Sequence, residues 1–176
     1  MHTTTAPTLS FGQRLAAFSH LCKPRVNSLI VFTAMIGMCL ATPDFPPLLR
    51  FTVASLGIAL VSFAAAALNC LVERTVDAKM ARTSWRATAR GDISPLETIT
   101  LATALGATGL WLLHNFINDL TVWLTLATFV GYTVIYTLIL KPATPMNIVI
   151  GGASGAMPPL LGWTAMTGQV SAEPLV

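Results

Sequence analysis

Asn69, Glu73 and Asp77 recur at intervals of four within the run NCLVERTVDAKMARTSWR, residues 69–86. On an α-helix such residues lie about 6 Å apart along the axis and drift by roughly 40° per step, so three oxygen-bearing side chains line one face. Neighbouring members can share one cation. The outer two, about 12 Å apart on a straight helix, are too distant for a single Mg²⁺ with ligand distances near 2.1 Å. Asn69/Glu73 or Glu73/Asp77 is therefore the direct pair, with the remaining residue acting through water. Oxygen donors suit a hard cation, and Mg²⁺ is ordinarily held by one or two carboxylates plus substrate phosphates. Arg74, Lys79, Arg82 and Arg86 follow within a few turns, where guanidinium forks can bind phosphate oxygens bidentately. The chemistry this pattern could perform is the cation-assisted departure of a diphosphate. The same spacing also suits an ordinary solvated loop whose carboxylates are balanced by nearby arginines and Lys79. Placement favours the first reading, because Asn69 still lies in an uncharged stretch, and polar groups at membrane depth usually face an interior cavity.

The elements that must position these residues are membrane spans. The 176 residues are 54% apolar and only 10% charged, with a mean hydropathy of +0.70. Charged residues cluster, leaving uncharged stretches at 26–43, 51–72, 98–118, 120–140 and 142–172. A bilayer core needs about 20 apolar residues; the first stretch is borderline, and Lys23 and Arg25 are expected to reach toward headgroups from its start. A basic segment before an apolar run also fits a signal peptide, but its length and the four following spans favour an uncleaved anchor. The expected fold is all-α, a polytopic transmembrane bundle of five spans. A Thr-rich tail (1–22) carries an amphipathic stretch, in which Phe11, Leu15, Phe18 and Leu21 share helical spacing and could lie on the inner membrane surface. The transmembrane domain covers 23–176.

Nine of the ten basic residues fall on one side if the N-terminus is cytoplasmic, Arg50 being the exception. The positive-inside bias thus predicts N-in and C-out. Basic residues tied to spans argue against a nucleic-acid partner; the expected environment is the lipid bilayer. The segment 73–97 holds nine of seventeen charges, more than a connector needs, so it reads as functional. Cys22, Cys39 and Cys70 lack metal-site spacing and read as buried small hydrophobes. Trp111 and Trp123 fall where outer-interface anchors belong. In the last span, Gly151 and Gly155 form a GxxxG spacing that permits close helix approach, and Pro158 and Pro159 should kink or break the helix against protein or a cavity.

The pattern Asn69-xxx-Glu73-xxx-Asp77, followed by Met80, Arg82, Thr83 and Arg86, resembles the first acidic motif of the UbiA-type intramembrane prenyltransferases. More narrowly, Lys23-Pro24-Arg25, Asn69-Cys70 with Glu73, and GGASGAMPPLLGW at 151–163 resemble the heme-farnesylating branch of that family. The resemblance implies transfer of a farnesyl group from farnesyl diphosphate to a vinyl group of heme B, giving heme O, with Mg²⁺ as cofactor in a bacterial inner membrane. It implies that Asn69, Glu73 and Asp77 hold the metal, that Arg82 and Arg86 hold phosphate, and that Lys141 is a second-rank phosphate ligand or simply a positive-inside residue.

The chain departs from the family at Ala87, where a proline is usual, and at Pro142, where a second basic residue is usual. The family resembles a nine-helix bundle with a second acidic motif. Beyond Lys141 the one acidic residue is Glu173, so the chain reads as the N-terminal part of such a bundle, completed by a missing C-terminal half or by a homo-oligomer. The alternatives are a relative that prenylates an aromatic ring such as hydroxybenzoate, for which Glu73 is less usual than aspartate, and a non-catalytic membrane fragment. His20 and His114 could be proposed as axial heme ligands, but both fall near membrane boundaries, where polar side chains are ordinary.

Overall fold

The computed structural model describes residues 10–140 and 147–171. Among these, all regular structure is helical. A short α1 (Phe11–Leu21) precedes α2 (Pro24–Leu40) and α3 (Leu48–Val72); two single turns follow, α4 (Arg74–Asp77) and α5 (Ala87–Arg90). Then come α6 (Pro95–Phe116), α7 (Asp119–Val130) continuing into a π-helical segment (Gly131–Leu140), and α8 (Asn147–Thr167). The five expected spans are thus α2, α3, α6, α7 with its π extension, and α8. Leu48–Val72, Pro95–Phe116 and Asp119–Thr137 are long and apolar enough to cross a membrane, whereas Pro24–Leu40 has 17 residues, matching its borderline length in the sequence.

Local chemistry sets the helix starts. Ser94 and Glu97 form a reciprocal capping box at the start of α6, with Pro95 in the first turn, as Ser10 and Gln13 do for α1; each satisfies two N-terminal donors that a helix leaves unpaired. Pro24 opens α2, where a missing N–H costs nothing.

In lipid, helices gain little by hiding apolar surface from one another, so close contact through small residues dominates. α3 packs chiefly on α6 and α2 chiefly on α8. A Cβ on Gly109 of α6 would lie 2.7 Å from the Gly57 carbonyl oxygen of α3, and one on Gly57 would strike Leu113. Gly37 of α2 abuts the Pro159 backbone of α8, and Gly162 of α8 abuts the Ala34 carbonyl of α2. The GxxxG pair is not this seam: Gly151 meets the Tyr136 ring, and Gly155 has no neighbouring atom where its Cβ would stand. The outer α2 face, with Leu29, Phe32 and Ile36, stays exposed, as a lipid-facing surface should.

Three further expectations change. α8 runs through Pro158 and Pro159 without breaking, while both residues face inward as expected: Pro158 is buried and Pro159 rests on α2. Only half of the α1 face docks: Leu21 is 2% exposed, while Phe11 is 84% exposed. Of the cysteines, Cys70 is buried, Cys22 is half-buried and Cys39 is exposed on the outside of α2. Trp111 and Trp123 are exposed near the bundle end remote from Asn69, consistent with interface anchors.

Candidate functional site at the mouth of an apolar cavity

The 69–86 segment keeps its i, i+4 rhythm across the junction of α3 and α4. The Asn69 carbonyl accepts the Glu73 N–H at 3.1 Å, and the Glu73 carbonyl accepts the Asp77 N–H at 2.8 Å. The three side chains therefore remain in sequence along one side. Asn69 is 3% exposed. Its amide nitrogen donates to Glu73 Oε1 at 3.1 Å and to Thr137 Oγ1 of the π segment at 3.3 Å.

The chain beyond Asp77 turns back on itself. Met80 N–H donates to the Asp77 carbonyl, Ser84 N–H to Met80 and Arg86 N–H to Thr83, and the Thr83 hydroxyl donates to the Asp77 carbonyl at 3.2 Å. These turns return Arg86 to the carboxylates: its Nη1 stands 2.6 Å from Asp77 Oδ2 and 3.7 Å from Glu73 Oε2. Two carboxylates on successive turns thus face one cationic nitrogen. Asp77 is 4% exposed, so the ion pair with Arg86 offsets the cost of burying its carboxylate.

Lys23 completes the cluster from the other side. Its Nζ donates to Asn69 Oδ1 at 2.6 Å. The sequence suggested that this lysine reaches for headgroups; it turns inward instead. It is also the one non-glycine residue with positive φ among those described, at φ 46° and ψ 59°, a conformation that costs about 1–3 kcal/mol for a residue with a side chain. Neighbouring Asn27, 3% exposed, donates to the Cys22 carbonyl at 2.5 Å and accepts from Ser62. In the sequence, the signal for Asn27 is a polar residue four positions from a lysine at the start of an apolar run.

Arg82 is exposed, and its carbonyl accepts the Trp85 indole N–H at 2.7 Å; its guanidinium forms no ion pair among the described residues. Lys141 lies outside the described residues. His20 is exposed and meets Trp85 edge-on with centroids 5.7 Å apart, and His114 bonds Asp119 at 2.6 Å near the opposite end. Among the described residues neither is hydrogen-bonded to the cluster. Burial, and then the neighbouring Cys70, push the Cys22 thiol pKa up, so it stays protonated at neutral pH.

Next to this cluster a cavity of about 220 Å³ runs between α2, α3, α7 with its π extension, and α8. Lys23, Asn27 and Tyr132 line it together with Ile58, Ala66 and Leu161. The wall is mostly apolar, with few polar groups, the usual make-up of a small-molecule site. Gly155 and Ser154 also line it; their carbonyls are the ones whose normal helical partners, the N–H groups at 158 and 159, are missing because both residues are proline.

The donor set suits a hard divalent cation. Glu73 and Asp77 already converge on a single positive centre, Arg86 Nη1, and Asn69 adds a neutral oxygen. No cluster of three His, Cys, Asp or Glu side chains occurs among the described residues, so the remaining coordination would fall to water and ligand phosphates, as is common for Mg²⁺.

Comparison with known proteins identifies the chain's relatives. The profile of the UbiA prenyltransferase family matches residues 30–176. The chain belongs to that family. It is 93% identical over its whole length to a protoheme IX farnesyltransferase of Dechloromonas aromatica, of which it covers 59%. It is 58% identical to the protein of the same name from Aromatoleum aromaticum over 99% of the chain and 58% of that protein. The corresponding values for Methylibium petroleiphilum are 60%, 99% and 57%. The chain therefore spans a little under three-fifths of the length of these relatives. No solved structure matches it. Family membership and the long apolar helices make this UbiA-type chain an integral membrane protein.

Proposed function

We propose that the protein transfers a farnesyl group from farnesyl diphosphate to a vinyl group of protoheme IX, forming heme O. The observation that carries this reading is the convergence of Asn69, Glu73, Asp77, Arg86 and Lys23 beside an apolar cavity. The relatives' shared name supplies the acceptor.

In this reading the isoprenoid lies along the cavity between Ala66 and Leu161, with its diphosphate at the Lys23 end. Asn69, Glu73 and Asp77 would hold Mg²⁺, directly or through water, and the ion supplies charge neutralisation for the leaving diphosphate. Arg86 then exchanges part of its carboxylate pairing for phosphate oxygens, with Arg82 as a further phosphate ligand and Lys141 as a second-rank one. The allylic carbon–oxygen bond breaks, and the diphosphate leaves with the electron pair. The vinyl carbon attacks the allylic cation, and water captures the new cation next to the heme ring and loses a proton, leaving the hydroxyethylfarnesyl group. The dry wall protects the cation from water until the acceptor has reacted.

The loop 73–97 faces the cytoplasm in this proposal, with the N-terminus inside and the protein in a bacterial inner membrane. An aromatic-ring acceptor is the second reading. Supplying the complete protein with farnesyl diphosphate, Mg²⁺ and either heme B or hydroxybenzoate, then weighing the products, decides between them. A mass increase on heme matching a farnesyl group plus a hydroxyl is expected; prenylated hydroxybenzoate with unchanged heme rejects the assignment.

A further inference from the structure

Lys23 has three properties that coincide nowhere else among the described residues. Its backbone sits in the left-handed region immediately before Pro24, although a residue preceding proline favours extended geometry. Its ammonium is bonded to Asn69 Oδ1 at 2.6 Å across 46 residues of sequence. Its side chain also lines the apolar cavity. The turn between α1 and α2 thus spends an unfavourable conformation on placing one flexible cation at the boundary between wet cluster and dry cavity.

The amide oxygen that Lys23 occupies is the one Asn69 would offer to a metal ion, just as Arg86 occupies the carboxylates that would face it. Two carboxylates, one guanidinium and one ammonium balance in the unloaded cluster. A prenyl diphosphate carries more negative charge than one divalent cation neutralises, so a loaded site needs both basic groups to move onto phosphate while the metal takes their oxygens.

Building on the farnesyl-transfer reading, we propose that Lys23 is a diphosphate-binding residue that keeps the Asn69 oxygen occupied in the unloaded site and passes to a diphosphate oxygen when Mg²⁺ displaces it. The ammonium suits this exchange: four rotatable carbons let it swing between acceptors without moving the backbone. The left-handed turn keeps the stem pointed along the cavity mouth, so that both acceptors fall within its arc.

The test compares Lys23→Gly and Lys23→Arg with wild type in the complete protein in nanodiscs. The glycine variant removes the ammonium and relieves the backbone conformation, so folding is preserved. Binding of farnesyl thiodiphosphate, which ionises poorly, is measured with Mg²⁺, and farnesol reports the apolar cavity alone. Lys23→Gly is expected to bind the thiodiphosphate about 10- to 100-fold more weakly, the loss of one charge-assisted bond, with unchanged farnesol affinity; Lys23→Arg should retain most of the affinity. Equal thiodiphosphate affinity in wild type and Lys23→Gly overturns the proposal. Parallel weakening of both ligands also overturns it, since that marks Lys23 as a clamp for α3. Failure of wild type itself to bind the thiodiphosphate rejects the farnesyl-transfer reading, and this proposal with it.

Discussion

Arg86 Nη1 lies 2.6 Å from Asp77 Oδ2 although eight residues of irregular chain separate the two. The pair turns a loop into one wall of the site: the guanidinium is 22% exposed and the aspartate 5%, and Glu73 lies within 3.7 Å of the same nitrogen. A positive group is required there whether or not substrate is bound.

Removing that group should therefore cost stability in a cation-dependent way. Arg86→Met leaves Asp77 buried without its partner and should destabilise the protein by about 2–4 kcal/mol. In chelator its Tm falls below that of wild type, and added Mg²⁺ raises the variant's Tm by more than it raises the wild type's. Equal responses to Mg²⁺ in thermal unfolding would mean that the carboxylates do not share a cation site.

Asp77→Asn keeps shape and hydrogen bonding but removes charge. Mg²⁺-dependent binding of farnesyl thiodiphosphate should weaken about tenfold or more, equivalent to at least 1.4 kcal/mol. Calorimetric titration with and without the metal reads this directly, and unchanged affinity rejects a metal role for Asp77.

The cavity can be filled without touching the charged cluster. Ala66 lines it and is 6% exposed. Ala66→Phe should weaken farnesyl thiodiphosphate about tenfold while inorganic diphosphate with Mg²⁺ binds as before, because only the prenyl chain needs that space. Competition binding distinguishes the two ligands, and equal losses would place the chain elsewhere.

The seam between α2 and α8 should be sensitive at one set of glycines and tolerant at another. Gly162→Ala pushes a methyl group into the Ala34 carbonyl and should cost about 1–3 kcal/mol. Gly152→Ala, with nothing within 4 Å of the added carbon, should cost nothing, since alanine is the better helix former. Thermal unfolding of the two variants side by side checks the contrast.

Much of this molecule follows from its sequence alone. Uncharged runs of bilayer length mark the five spans because lipid admits little else than apolar helices, and all five appear within a few residues of those runs. Asn69, Glu73 and Asp77 were legible because i, i+4 spacing is a local property that survives the junction at Glu73. Contacts between spans are not local. Nothing near Gly37 or Gly162 announces that each faces the other helix's backbone, whereas the conspicuous Gly151 and Gly155 spacing turned out to serve an aromatic ring and a cavity. The prolines of α8 argued for a kink or break against protein or a cavity; they do face protein, and the helix continues through them packed on α2. Lys23 shows the same division most sharply. Its position before an apolar run fits a headgroup anchor, since a flexible cation at a helix end normally finds lipid phosphate. Only the approach of the α3 terminus to the start of α2 offers it Asn69 at 2.6 Å, and the inward choice rests on that meeting of distant segments.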